Sequence, residues 1–236
     1  MLENLKNEVL KANLLLVEYG LVILTWGNVS GIDREKGLVV IKPSGVEYSG
    51  LKSEDLVVVD LDGQIVEGNL RPSSDTPTHL ELYKAFPDIG GVAHAHSTYA
   101  TAFSQVREKI LPLGTTHADC FYGAVPVTRR LTDEEIKDEY EKNTGKVIVE
   151  AIRKKGTDPL DCPAALVAMH APFTWGENPK KAVENALVLE KIAEMNVISS
   201  EISENTRTIP QFPMDQTLLE KHFFRKHGKN AYYGQK

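Results

Sequence analysis

Several features are scarce or missing in this chain of 236 residues, and each absence excludes a class of protein. No apolar run approaches the ~18 residues that a membrane-spanning helix needs, and the N-terminus lacks the basic-then-apolar pattern of a signal peptide. The only two cysteines, Cys120 and Cys162, lie far apart in the sequence and suggest no disulfide framework. We therefore expect a cytoplasmic protein without a membrane partner.

Positive charge is also in deficit, with 27 Lys and Arg against 33 Asp and Glu and a formal net charge of -6. This balance argues against a nucleic-acid partner held by a basic field, although an acidic protein can still bind a phosphate group locally. There is no internal repeat, low-complexity tract or Gly/Ser linker. Length and patterning predict one α/β domain, a mostly antiparallel sheet covered by helices on both faces.

Periodicity and turn residues place the elements. Helices are predicted over 3–19, 76–86, 97–105, 146–154 and about 215–226, with Thr76 and Ser97 as caps. Another helix opens at the capping box 132–135, and a long amphipathic helix starts after Asn178-Pro179 and includes Val183, Leu187 and Ala193. Strands are predicted over 22–25, 38–41, 56–60, 64–66, 92–96 and 164–169. The residues Asp62-Gly63 indicate a type I′ hairpin turn. The segment 26–28 is predicted to break the first strand, 31–37 to be a polar turn and 114–119 to be an irregular loop.

Two histidines one residue apart, His94 and His96, occupy a short apolar run. Side chains at i and i+2 of a strand point to the same face, so both imidazoles can approach one metal ion. His170, at the end of a second apolar run, supplies a third candidate ligand and favours a zinc site over the alternative of unrelated structural histidines. His117 is the rival third ligand, ranked lower because no strand holds its loop.

Asp75 stands at the entry of the helix that directly precedes the histidine strand. It is a candidate fourth ligand or general base. Taken alone, it is better interpreted as an ordinary carboxylate favoured by the dipole at a helix N-terminus.

Two glycine-containing loops, Trp26-Gly27-Asn28 and Lys42-Pro43-Ser44-Gly45, follow predicted strands and suit an anion. Glycine allows close backbone approach, and N–H groups, a serine hydroxyl and a lysine can surround a phosphate. Ser73 and Ser74 add hydroxyls near a helix N-terminus, where anions are favoured. Each fragment alone is a common turn, but together with a metal they predict a phosphorylated small substrate.

An ordered series of motifs runs along the chain: Thr25-Trp26-Gly27-Asn28, Lys42-Pro43-Ser44-Gly45, Pro72-Ser73-Ser74-Asp75, His94-Ala95-His96, Gly114-Thr115-Thr116-His117-Ala118-Asp119 and Tyr232-Tyr233-Gly234. No single motif is decisive, but the series closely resembles the class II aldolase/adducin family from Met1 to the last few residues. The resemblance implies one three-layer αβα domain over residues 1–236, with a C-terminal tail of about 228–236 that contributes to the active site. It also implies a homotetramer with active sites at subunit interfaces.

The same resemblance implies site residues. One zinc ion per subunit, or manganese in its place, would bind His94, His96 and His170 with Asp75 at the metal. The implied substrate contacts, with Lys42 added from the loop chemistry, are Gly27, Asn28, Lys42, Ser44, Gly45, Ser73 and Ser74. Asp119 and Tyr233 are the implied acid/base pair, with His222 in support and Tyr232 as the neighbour that could be mistaken for Tyr233. Without the resemblance, Asp119 is interpreted as a loop carboxylate and Tyr233 as a tail aromatic.

The implied activity is a zinc-dependent epimerase that interconverts L-ribulose 5-phosphate and D-xylulose 5-phosphate. The C4 hydrogen is not α to the C2 carbonyl, so the accessible route is retro-aldol cleavage of the C3–C4 bond. The nearest alternative is a class II aldolase that cleaves a deoxyketohexose 1-phosphate. The shorter acid at Asp75, where aldolase members carry Glu, favours the epimerase.

Two further alternatives are a non-enzymatic interaction module of the adducin type and a His₃ zinc hydrolase. The first predicts missing metal ligands, whereas every expected ligand residue is present. The second would need neither phosphate loops nor a tail tyrosine. Breakdown of either arabinose or ascorbate could supply the pentulose phosphate.

Overall fold

The computed structural model describes residues 2–206, 213–228 and 231–234. Its core is a seven-stranded sheet with the order β4-β3-β2-β1-β5-β7-β6, in which every neighbouring pair is antiparallel. The strands are β1 Asn28–Asp33, β2 Leu38–Ile41, β3 Val57–Asp60, β4 Ile65–Glu67, β5 Gly91–His94, β6 Ala164–Leu166 and β7 Pro172–Gly176.

The helices are α1 Glu3–Glu18, α2 Thr76–Ala85, α3 Thr98–Val106, α4 Thr115–Ala118, α5 Asp133–Lys137, α6 Tyr140–Lys155, α7 Pro179–Thr206 and α8 Gln216–Phe224. Within the described ranges, every helix is too short or too polar to span a bilayer.

The sheet lies between two layers of helices. Along β3, Val57 and Val59 face a core built with α2 and α6, while Val58 points to the opposite face, against α1. This alternation follows from the two-residue period of a strand, and both of its faces are apolar because both are covered. The α/β architecture predicted from the sequence, a mostly antiparallel sheet between helical layers, is confirmed.

The prediction around the first strand was wrong. Residues 22–25 form a tight turn, closed by a bridge from Ile23 to Trp26, in which Leu24 is exposed and has a positive φ of 52°. The strand begins instead at Asn28, in the segment predicted as a break and turn. Beyond the end of β2, the Asn13 side chain accepts from the backbone N–H of Val29 and donates to its carbonyl, in place of a neighbouring strand. A long-range contact of this kind is invisible to local pattern.

Three other local predictions need correction. The hairpin at Asp62-Gly63 is not a type I′ turn, since only Gly63 has a positive φ and its N–H donates to the Asp60 carbonyl. The segment predicted as the loop 114–119 contains the one-turn helix α4. The apolar run 164–169 stops being a strand after Leu166, and it turns back through His170 into β7, a strand that the sequence analysis missed.

Helix caps also differ from expectation. Thr132 and Glu135 form the predicted capping box of α5, but the side chain of Ser97 makes no capping hydrogen bond at α3. The buried carboxylate of Glu190 on α7 takes that place and accepts from the backbone N–H groups of Tyr99 and Ala100. Asp75, rather than Thr76, holds the N-cap position of α2.

Candidate active site

The centre of the sheet brings the histidine motif together with distant parts of the chain. In the strand register, His94 at the end of β5 pairs with Asn28 of β1 on one side and with Phe173 of β7 on the other. The Phe173 ring stacks on His94 at a centroid distance of 4.1 Å. His96 lies just beyond the end of β5, and His170 comes from the turn between β6 and β7.

The three histidines converge as predicted. One ring nitrogen from each of His94, His96 and His170 lies within 4.8 Å of the others. The rival His117 lies outside this group, buried beside Phe121, where its Nε2 hydrogen-bonds the Gly123 carbonyl at 2.8 Å. These three histidines could therefore bind a metal ion.

Hydrogen bonds determine which nitrogens are available as ligands. His94 Nδ1 lies 2.9 Å from the Pro172 carbonyl, which can only accept, so Nδ1 carries the proton and Nε2 is left free to coordinate. His170 Nδ1 lies 3.4 Å from the Tyr140 hydroxyl. Burial lowers the pKa of all three histidines, that of His170 to about 4, and keeps them in the neutral form that a metal requires.

Asp75 lies at the edge of this trio. Its Oδ2 is 4.0 Å from His94 Nε2 and accepts a hydrogen bond of 2.7 Å from the Asn28 amide. Burial opposes ionisation of Asp75, but the interaction with His94 and the hydrogen bond from Asn28 lower its pKa overall. Among the described residues, no hydrogen-bond partner reaches the buried Oδ1 of Asn28. A free acceptor beside neutral imidazoles and a carboxylate is a donor set that suits a cation and a hydroxylated ligand.

The predicted anion loops are joined by backbone hydrogen bonds. The N–H of Ser73 donates to the Lys42 carbonyl, and the N–H of Ser44 donates to the Arg71 carbonyl, both at 3.0 Å. This short antiparallel bridge places the segment 42–45 beside the start of α2. The hydrogen bond from the Asn28 amide to Asp75 joins the other predicted anion loop, Trp26-Gly27-Asn28, to the start of α2.

Lys42 is the buried cation of this group, with only 1% of its surface exposed. Its ammonium group donates to the Pro43 carbonyl at 3.3 Å, and no carboxylate lies within ion-pair distance of it in the described part of the chain. Burial lowers the pKa of Lys42 to about 8. An unpaired buried cation is costly unless an anion arrives to neutralise it.

All these groups open into one cavity of about 530 Å³. Its lining contains every predicted metal and substrate residue: Gly27, Asn28, Lys42, Ser44, Gly45, Ser73, Ser74, Asp75, His94, His96 and His170. Tyr140 and Glu141 at the start of α6 also line it, and the sequence analysis missed both. No local signal marks these two residues, because only the packing of α6 against α2 brings them there.

The predicted acid/base pair is not in this cavity. Asp119, just after α4, lies in a separate basic cluster with Arg225, Lys226 and His222, whose nitrogens are 2.8, 3.0 and 3.1 Å from its carboxylate. Tyr233 stacks over Arg225 and Lys226, at 4.8 and 4.6 Å from the ring centroid. The neighbouring Tyr232 instead stacks over Lys221. Of the two tail tyrosines, Tyr233 is the one whose ring contacts the cations that bind Asp119.

Charge controls the ionisation of Asp119. Partial burial opposes ionisation, but hydrogen bonds from Arg225, Lys226 and His222 lower its pKa below the ordinary range. The carboxylate form is therefore favoured. Of the tail implied to join the active site, the residues 229–230 and 235–236 lie outside the described ranges.

Known proteins resemble this chain over its whole length. It is 54% identical over 235 residues to proteins named L-ribulose-5-phosphate 4-epimerase UlaF from Salmonella paratyphi A and Salmonella typhi, covering 100% of both chains in each case. Among solved structures, an L-fuculose 1-phosphate aldolase has a TM-score of 0.77 at 29% identity, covering 93% of this chain and 94% of its own.

A second structure, L-fuculose 1-phosphate aldolase from Glaciozyma antarctica PI12, has a TM-score of 0.75 at 21% identity, covering 97% of this chain and 84% of its own. At that identity, the likeness concerns the fold alone. The family described as "Class II Aldolase and Adducin N-terminal domain" matches residues 7–197. The fold, the histidine trio and this match agree, and the chain belongs to the class II aldolase/adducin family.

Proposed function

We propose that this protein is a metal-dependent epimerase that interconverts L-ribulose 5-phosphate and D-xylulose 5-phosphate, with zinc on His94, His96 and His170 and with Asp75 at the metal. The observation that carries the proposal is the cavity in which this histidine trio faces the joined anion loops. A metal site and a phosphate site in one cavity suit a sugar phosphate. The full-length similarity to proteins named as epimerases supports this choice of substrate.

The chemistry proposed is cleavage and re-formation of the C3–C4 bond. The C4 hydroxyl loses its proton, the bond breaks, and the products are glycolaldehyde phosphate and the enediolate of dihydroxyacetone. If the aldehyde turns over before the bond re-forms, the configuration at C4 inverts. When bound, zinc supplies Lewis-acid stabilisation of the negative charge that develops on the oxygens of C2 and C3.

The chain's own residues would hold the fragments and move protons. Lys42, Ser44 and Ser73 would bind the phosphate, so that the aldehyde turns without leaving. Asn28 would donate to Asp75 and offer its free Oδ1 to a substrate hydroxyl. Inversion needs one proton-transfer group on each face of the aldehyde, and Asp119 and Tyr233 are proposed for these places.

Asp119 and Tyr233 would act on a neighbouring subunit, because both lie outside the cavity of their own chain. This arrangement requires an assembly in which the basic cluster of one subunit faces the histidine trio of the next. A homotetramer with active sites at its interfaces meets the requirement, and the tail of each subunit would then complete its neighbour's site.

The test is an assay of purified protein with L-ribulose 5-phosphate, in which formation of D-xylulose 5-phosphate is followed before and after chelation and return of zinc. Chelator-sensitive, zinc-restored conversion is the expected result. Absence of xylulose phosphate from metal-replete protein would overturn the proposal.

A class II aldolase activity is the second candidate, favoured by the likeness to the solved fuculose phosphate aldolase. Release of dihydroxyacetone phosphate and lactaldehyde from a 6-deoxyketohexose 1-phosphate would identify it.

Mixed subunits provide the test of the proposed active site shared between subunits. If a protein inactive through Asp119→Asn and another inactive through His96→Asn regain activity when co-assembled, the two residues serve one site from different chains.

A further inference from the structure

The Lys42 ammonium group and the Gly27 carbonyl, which belong to two different anion loops, are both held by one side chain, that of Tyr48. The Tyr48 hydroxyl donates a hydrogen bond of 2.7 Å to the Gly27 carbonyl. The Lys42 Nζ lies over the face of the Tyr48 ring, 4.7 Å from its centroid. Tyr48 is buried, with 6% of its surface exposed, and it does not line the cavity itself.

The contact with Lys42 matters because this lysine has no carboxylate partner in the described part of the structure. The negative face of an aromatic ring stabilises a desolvated ammonium group, yet it occupies none of the three N–H donors with a strong acceptor. Apart from the one that the Pro43 carbonyl accepts at 3.3 Å, these donors remain free for a ligand. An acidic partner at the same place would compete with an incoming anion, whereas an aromatic face does not.

The contact with Gly27 fixes the second loop. Gly27 has a φ of 125°, and a Cβ at this position would lie 2.9 Å from Val22 and 3.0 Å from the His94 carbonyl, so the loop packs closely against the end of β5. Burial raises the pKa of Tyr48, which keeps its hydroxyl protonated as a donor. The next residue is Asn28, whose amide holds Asp75.

We propose that Tyr48 is a positioning residue of the anion site, which orients the Lys42 cation through its ring and the Gly27–Asn28 loop through its hydroxyl for a phosphate monoester. This inference rests on the proposed function, since it assigns Tyr48 a part in holding the phosphorylated substrate. A tyrosine that served only to fill the core would need neither the contact with Lys42 nor the hydrogen bond to Gly27.

Two substitutions separate the two contacts. Tyr48→Phe removes the hydrogen bond to Gly27 and keeps the ring, so the dissociation constant for inorganic phosphate should rise about 2- to 10-fold. Tyr48→Leu also removes the ring beneath Lys42, and the constant should rise about 10- to 100-fold. With the sugar phosphate as substrate, KM should rise in the same order while bound zinc stays at the wild-type level. The matched control is Tyr83→Phe, because Tyr83 is also buried with its hydroxyl hydrogen-bonded, but its partners are Ser30 and Arg34, which lie outside the anion loops.

The measurement is calorimetric titration with inorganic phosphate, carried out on zinc-loaded protein whose folding is checked by thermal unfolding. A double-mutant cycle with Lys42→Met provides a readout that a purely structural role would not move: the ring's contribution should disappear when Lys42 is absent. If Tyr48→Leu fails to fold, the comparison of Tyr48→Phe with Tyr83→Phe decides the matter through the hydroxyl contact.

The outcomes distinguish this inference from the proposed function. If the wild-type protein binds phosphate and the Tyr48 variants bind it equally well, the role of Tyr48 is overturned and the epimerase proposal stands. If the wild-type protein and Lys42→Met bind phosphate equally, the anion site itself fails, and the role of Tyr48 fails with it.

Discussion

The guanidinium group of Arg225 holds both carboxylate oxygens of Asp119, with Nη2 at 2.9 Å from Oδ1 and 2.8 Å from Oδ2, and Nε at 3.2 Å from Oδ1. The same guanidinium group also lies over the ring of Tyr233. Arg225 thus connects the two side chains proposed as the proton-transfer pair. It also stabilises the carboxylate form of Asp119.

Arg225→Met should therefore raise the pKa of Asp119, because the hydrogen bonds from Arg225 help to lower it. A carboxylate with a lowered pKa is ionised at all pH values above that pKa, so losing Arg225 should move the acidic limb of the pH profile of kcat/KM to higher pH. Arg225→Lys, which keeps the charge without the paired hydrogen bonds, should give a smaller shift. If the acidic limb does not move in Arg225→Met, Arg225 does not control the ionisation of Asp119.

His96→Asn should lose the bound metal while the protein stays folded. His96 is partly exposed at the end of β5 and contributes little to the core, whereas three nitrogen ligands are needed to hold the ion. The measurement is the zinc content after dialysis, with circular dichroism for folding. His117→Asn is the matched control and should keep its zinc despite the loss of a buried histidine; retention of zinc by His96→Asn would remove His96 from the site.

Lys42→Met should stabilise the folded protein and weaken phosphate binding. Burial lowers the pKa of Lys42 to about 8 from an ordinary value of 10.5, so the charged side chain destabilises the fold. This cost is fully present below about pH 8 and disappears as the pH rises towards 10.5, because the unfolded chain keeps its proton over that interval. Removing the charge should raise the free energy of unfolding at pH 7 by about 1–3 kcal/mol.

Urea unfolding of Lys42→Met and the wild type at pH 7 and at pH 10 measures this effect. The stability difference between the two proteins should shrink at the higher pH. Phosphate binding by the wild type should weaken as the pH rises through about 8, where Lys42 loses its charge. If Lys42→Met is less stable than the wild type at pH 7, the charge of Lys42 does not destabilise the folded protein and the prediction is wrong.

Glu190→Ala should destabilise the helix that follows the histidine motif. The carboxylate accepts from two backbone N–H groups at the start of α3, and both would lose their partner in a buried position. We expect the free energy of unfolding to fall by about 1–3 kcal/mol, measured by urea unfolding. Glu194→Ala, one turn further along α7 at an exposed ion pair with Lys191, is the matched control and should change stability by less than about 0.5 kcal/mol.

Local sequence was sufficient for elements whose causes lie within a few residues. The helix at Glu3–Glu18, the strand at Leu38–Ile41 and the capping box at Thr132 agree with prediction because period, cap and turn chemistry are short-range. The convergence of the three histidines was also foreseeable, since His94 and His96 share a strand-like spacing and His170 ends an apolar run. The anion loops were recognised for the same reason, as glycine, serine and lysine follow one another in the chain.

The tertiary structure decided everything that depends on contacts between distant residues. Pairing with β5 starts β1 at Asn28, and the Asn13 side chain completes the hydrogen bonding of Val29 where β2 does not reach. The β5–β7 pairing brings Phe173 onto His94, and the fold of α6 over α2 brings Tyr140 to His170.

Asp119 shows most clearly what came from the sequence and what came from the tertiary structure. The family resemblance alone made it a candidate in the sequence, but only the fold separates it from the cavity and surrounds it with Arg225 and Lys226, which follow α8 and lie over 100 residues away in the chain. The sequence by itself determined which groups are available for chemistry, because side-chain type is local. Which of them meet, and in which ionisation state, was decided by the tertiary structure, because burial and charge proximity are properties of the folded chain.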